Sequence, residues 1–196
     1  MTSPDVIPAP RPGPRERLLR AARDLTYTHG FGIGVDAILT EAEVARRSLY
    51  QHFGGKDGLV AEVLRGVAAD TERGYEQALA GGGDDPRDRV LAVFDRLDER
   101  TSGAGFRGCH FASADLGLAS PAHPAHAQSR AHRRRVFELF EHELTMLGHP
   151  DPAGGAQQLQ VLLEGALAVG ATRPDSHPAR AARALAVHVL DAHGEC

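Results

Sequence analysis

Residues 35–56 read VDAILTEAEVARRSLYQHFGGK. Val35, Ile38 and Leu39 form one apolar face at helical spacing, and Leu49 and Phe53 form a second. The stretch therefore reads as two short helices with Ala42-Glu43-Val44 as the turn between them. That spacing matches a helix-turn-helix, in which the first helix crosses the DNA backbone and the second lies in the major groove. At about 100° per residue, Leu49 and Phe53 face a core, so Arg47 and Gln51 point away from it with Arg46 and Tyr50 beside them. A groove uses these residue types: Arg bridges guanine O6 and N7, Gln reads adenine, and Tyr, Ser and Lys hold phosphates. Lys56 would open the next helix, where its charge and the free amides of the first turn can grip a phosphate.

The ending GGK also looks like the tail of a nucleotide-binding P-loop, G-x-x-x-x-G-K-[ST]. That pattern fails at both ends: Tyr50 stands five positions before Gly55 where a glycine is required, and Asp57 follows Lys56 where Mg²⁺ needs a hydroxyl. Nucleotide hydrolysis is set aside.

Composition agrees with an all-α protein. The 196 residues are 42% hydrophobic, with no Trp, and the apolar content is mostly Ala, Leu and Val. The net charge of −4 argues on average against a nucleic-acid partner, but it hides a split. Residues 1–60 carry eight Arg and Lys against seven Asp and Glu, leaving the other 136 residues with fourteen against nineteen. A weakly basic head on an acidic body is compatible with DNA binding by the head alone. Cys109 and Cys196 are far apart with no paired spacing, so neither a disulfide framework nor a zinc ribbon is expected. The first residues have no signal-peptide h-region and no stretch approaches the roughly 18 apolar residues of a spanning helix, so a cytoplasmic protein without membrane contact is expected.

Five prolines within residues 1–14 make that segment an expected disordered arm, a reading preferred to one in which Arg11 and Arg15 reach a minor groove. A first helix follows from Arg15, with Leu18, Ala22 and Leu25 on one face and His29-Gly30 as its stop. After Lys56 a long helix carries Leu59, Val63, Val67 and Leu79 and ends at GGGDDP, residues 81–86. Five more helices are expected over 87–101, 106–118, 122–147, 153–171 and 178–193, giving about nine in all.

The stretch from 15 to 65 resembles the DNA-binding head of the TetR family of bacterial transcriptional regulators, through THGF, VDAIL and AEVARRSLYQHFGGKDGLV. The most specific part is the run Leu-Tyr-x-His-Phe-x-x-Lys-[Asp/Glu]-x-Leu, starting at Leu49. The resemblance implies that Tyr50, His52 and Lys56 touch operator phosphates while Arg46, Arg47, Ser48 and Gln51 sit at or near base edges. Lys56 is the only lysine beside 21 arginines, which suits a position wanting a compact ammonium. Two features depart from the family pattern: Glu43 stands at a turn position that is usually glycine, and Gly34 opens the second helix in place of a Ser or Thr cap.

FRGCHFASADLGL and AHRRRVFELF, in the body, are similar to a large TetR subgroup whose effectors are mostly unassigned. The resemblance implies three parts: the arm at 1–14, a helix-turn-helix domain at 15–60, and a helical effector-binding and dimerisation domain at 61–196. It implies a homodimer through the last two helices, a double-stranded operator and a small-molecule effector, with no cofactor. The small residues of EGALAVGA, 164–171, suit close approach of two copies. Candidate pocket walls are Phe94, Leu97, Cys109, Phe111, Leu116, Phe137, Phe140 and Leu163, although an aromatic or leucine stripe at helical spacing is more often plain core.

The alternative is a metal- or thiol-dependent enzyme or redox sensor. Arg107 and His110 beside Cys109 would lower a thiol pKa, and His123, His126 and His132 lie within reach for a metal. Against it, His123 and His126 flank Pro124, and the chain lacks Glu-x-x-His pairs, a nucleophile elbow or paired carboxylates. No metal and no catalytic residue are assigned. A purely architectural DNA-binding protein, or an activator, is the third reading.

Overall fold

A computed structural model describes residues 12–192; the proline-rich segment 1–11 and Cys196 lie outside them. Among the described residues the chain is all-α, with α1 Pro14–His29, α2 Val35–Ala42, α3 Arg46–Phe53, α4 Lys56–Gly81, α5 Pro86–Thr101, α6 His110–Gly117, α7 Pro124–Leu147, α8 Pro152–Thr172 and α9 Pro178–Leu190. One 3-10 turn, Pro174–Ser176, precedes α9. Five of the nine helices have proline in the first turn, where its missing N–H costs nothing. The Asp85 carboxylate caps α5 by accepting from the Arg87 amide at 2.9 Å, and that of Asp151 caps α8 by accepting from Gly154 at 2.9 Å.

The apolar stripes assemble into two cores. In the head, Leu18 of α1, Ile38 of α2, Leu49 of α3 and Leu59 and Leu64 of α4 are all at most 1% exposed. In the body, Phe94 of α5 stacks on Phe140 of α7 at 6.2 Å between ring centroids, and Leu159 and Leu163 of α8 close over them. The expected boundary at residue 60 falls inside α4. The first three turns of that helix belong to the head core, which also takes in Phe111 and Ala114 of α6 and Ala125 of α7. Head and body are thus joined through a continuous helix and through α6.

The turn between α2 and α3 comprises residues 43–45, one position later than the spacing suggested, because Ala42 is 4% exposed and stays in the helix to pack. Glu43 takes the left-handed conformation, φ 51° and ψ 48°, that the sequence pattern led one to expect of a glycine. Backbone bonds from Glu43 N to Thr40 O and from Val44 N to Leu39 O, both 3.1 Å, close the turn. Arg17 of α1 clamps it from outside, with Nη1 donating to the carbonyls of Ala42 and Glu43 at 3.0 Å each.

Candidate nucleic-acid interface

α3 has one buried and one open face. Leu49 is 1% exposed and Phe53 is half-buried, with the Arg15 guanidinium 5.5 Å from its ring centroid. Arg46, Arg47, Tyr50, Gln51 and His52 are exposed and Ser48 is half-buried. Every residue read from sequence as facing a groove is therefore on the open side or its margin. The arginines differ: Arg46 pairs with Asp36 of α2, whereas Arg47 makes no ion pair among the described residues. The Asp36 carboxylate thus holds one guanidinium along the α2–α3 seam and leaves the other free to reach outward.

Lys56 is half-buried, and its Nζ donates to the Phe31 carbonyl at 2.9 Å, tying the α1–α2 connection to the start of α4. An ammonium carries three donors, so this bond leaves two for a phosphate. Gly54 and Gly55, at φ 71° and 141°, make the sharp reversal between α3 and α4 that a side chain would resist. No side chain caps α4, so its first amides keep their hydrogen-bonding capacity beside Lys56.

The eight expected pocket walls are not brought together. Phe94, Phe137 and Phe140 belong to the body core and line none of the cavities described here. Leu116 is 90% exposed, because α6 has only two turns and packs through His110, Phe111 and Ala114, which turns Leu116 outward. Cys109, Phe111 and Leu163 line a small internal void of about 20 Å³, too tight for more than a water. Leu97 lines an adjoining open cleft of about 440 Å³ where α1, α4 and α5 meet His110, which shares Thr71, Tyr75 and Arg100 with the void.

The histidines are used internally. His123 Nδ1 accepts from the Ala125 amide at 3.1 Å as the cap of α7, His126 Nδ1 lies 2.8 Å from Asp115 Oδ1, and His132 Nδ1 lies 2.9 Å from Glu72 Oε1. No group of three or more metal-ligating side chains occurs among the described residues. Burial pushes the His110 imidazole down to about 4, with the Arg100 and Arg23 charges adding to the effect. It is neutral near pH 7 and supplies no positive charge beside Cys109.

Residues 18–63 match the family model described as bacterial regulatory proteins, tetR family. A TetR transcriptional regulator of Streptomyces avermitilis is 34% identical, the alignment covering 93% of this chain and 100% of that one at a TM-score of 0.81. The chain belongs to the TetR family. A TetR-family regulator from Streptomyces coelicolor is 30% identical over 90% of this chain and 94% of its own, at a TM-score of 0.79. The fold also matches that of the TetR family regulator CifR, a cysteine mutant of which was solved with 26-bp double-strand operator DNA. CifR is 23% identical, covering 94% of this chain and 99% of that one at a TM-score of 0.74. This TetR family protein is accordingly a DNA-binding transcriptional regulator and not an enzyme.

Sequence reasoning missed Arg17, Asp36 and Tyr27. Arg17 and Asp36 position the helix-turn-helix, and Tyr27 receives the Arg107 amide on its hydroxyl at 2.9 Å, linking the head to the α5–α6 loop. Partners 10, 26 or 80 residues distant in the chain, each on another element, leave no local signal.

Proposed function

We propose that this TetR family regulator is a repressor that binds a palindromic operator as a homodimer and is released by a small-molecule effector. The observation that carries the reading is the division of α3: Leu49 is locked in the head core while Arg47, Tyr50 and Gln51 stand exposed on the other side. In the proposed complex Arg46, Arg47, Ser48 and Gln51 lie at or near base edges, and Tyr50, His52 and Lys56 hold phosphates. Residues 15–60 act as the DNA-binding domain and 61–196 as the effector and dimer domain, in the cytoplasm where the DNA is.

The dimer is proposed to form through α8 and α9. Val161 and Leu185 are 65% and 53% exposed, and with Leu162 and Val189 they border a shallow apolar groove between the two helices. A two-fold axis there would present two α3 helices to half-sites about one DNA turn, roughly 34–36 Å, apart. An effector that binds a misspaced conformer about 100-fold more tightly than the DNA-competent one shifts the equilibrium by about 2.7 kcal/mol.

Footprinting on the chain's own upstream region tests the reading. A protected palindrome, with transcription rising when the regulator is deleted, is expected. Protection of one half-site only removes the dimer, and transcription that falls on deletion makes the protein an activator.

A further inference from the structure

The open cleft of about 440 Å³ lies where the head meets the body, and its volume falls within the range of small-molecule sites. Three observations describe what would fill it. The first is charge. Arg23 of α1 is matched by Asp70 of α4 at 2.7 Å, but Arg96 and Arg100 of α5 have no ion-pair partner among the described residues. Arg100 has two uncharged neighbours, the Tyr75 hydroxyl, with which it hydrogen-bonds, and the Phe106 ring, 6.0 Å from its guanidinium carbon. Glu99 at the exposed rim leaves the lining with one more positive charge than negative.

The second is a cradle. A Cβ built at Gly74, in the middle of α4, would stand 2.8 Å from both Nε and Nη2 of Arg96. Glycine is unfavourable inside a helix, and here it is the residue that lets the guanidinium lie against α4. The third is an orphan. His110 is 8% exposed, stacks on Tyr27 at 4.1 Å and 7°, and has no hydrogen-bond partner on either ring nitrogen. A buried imidazole with an unused donor and acceptor is costly unless something arrives to meet it.

We infer that the cleft binds a small organic carboxylate, its oxygens held by Arg96 and Arg100 and met by the unused N–H of His110, its flat apolar body filling the rest of the cleft, and that this anion is the effector. The last clause rests on the reading that a ligand releases the DNA. Fork geometry makes two unpaired guanidiniums good partners for a carboxylate. The neutral His110 adds direction without charge. The route to DNA is short, because Tyr27 and Arg23 both stand on α1. An occupant that opens the Tyr27–His110 stack or competes with Asp70 for Arg23 loosens the ties between α1 and the body, and α1 also clamps the α2–α3 turn through Arg17.

Calorimetric titration of the full chain with 1-naphthoate and its neutral counterpart 1-naphthylmethanol tests the site. Naphthoate is expected to bind at least tenfold more tightly than the alcohol. R96Q/R100Q should erase that preference, and so should R96Q alone, at an exposed position, if the double variant does not fold. G74A, which favours the helix but displaces Arg96, should also weaken naphthoate binding while leaving the protein no less stable. Equal binding of acid and alcohol, no binding of naphthoate at millimolar concentration, or a preference that survives R96Q/R100Q overturns the anion site. Adding naphthoate to the complex with upstream DNA separates the two claims. Release upholds both. Arginine-dependent binding that leaves DNA affinity unchanged upholds the anion site and overturns the effector role.

Discussion

The left-handed Glu43 in the turn before α3 makes a quantitative forecast possible. An L-residue at φ 51° and ψ 48° carries a penalty of about 1–2 kcal/mol that glycine does not. Glu43→Gly removes it but frees the unfolded chain, which takes back about 0.5–1 kcal/mol. The substitution also loses the contact to Arg17, 3.9 Å long with the Glu43 side chain 67% exposed, which contributes roughly 0.3 kcal/mol. The two hydrogen bonds from Arg17 survive, since they end on backbone carbonyls. The balance is a gain of about 0.5 kcal/mol, or a melting temperature higher by roughly 1–2 °C for a chain of this size. Glu43→Val should move the other way by about 1 kcal/mol, because a β-branched side chain is the worst fit to a positive φ. Thermal melts followed by circular dichroism read both. An E43G protein that melts more than about 2 °C below the parent refutes the idea that the turn is limited by backbone strain.

Leu49→Ala, at a position 1% exposed, should cost about 2–5 kcal/mol in urea denaturation; a loss under about 1 kcal/mol would mean that α3 is not seated by that side chain. His110 titrates near 4 in the folded chain against 6.5 ordinarily, so the unfolded state binds its proton first on acidification. Its contribution is complete above pH 6.5 and is lost as pH falls toward 4, so His110→Phe should flatten the stability profile in that window, and an unchanged slope would contradict the assignment. Val161→Asp with Leu185→Asp should turn the proposed dimer into a monomer in sedimentation, while a dimer that persists would place the interface elsewhere.

The parts of the fold readable from sequence were those set by local period. The partition of α3 between Leu49 and Arg47 follows from a rotation of about 100° per residue, and the ends of α4 and α7 follow from adjacent glycines. Leu116 escaped because HFASADLG is too short and too evenly apolar to announce which side packs. The cleft escaped for another reason. Tyr27 and His110 meet only because α1 and α6 lie together, and nothing near either residue in the chain encodes that angle. Arg96 was legible as a charge on α5 but not as a charge without a partner, which depends on where every acid of α1 and α4 falls.

The central claim is that the exposed face of α3 reads DNA. Affinity for the upstream region, measured by fluorescence anisotropy over a range of salt, tests it with Arg47→Ala and Tyr50→Ala combined. Each lost bidentate base contact costs about 1–3 kcal/mol, so the double variant should bind at least roughly tenfold more weakly. Loss of the proposed Tyr50 phosphate contact adds to that deficit, and the fold should stay intact because both side chains are exposed. A folded R47A/Y50A protein that binds this DNA within about twofold of the parent across the salt range, and so has lost no base contact, would contradict the account.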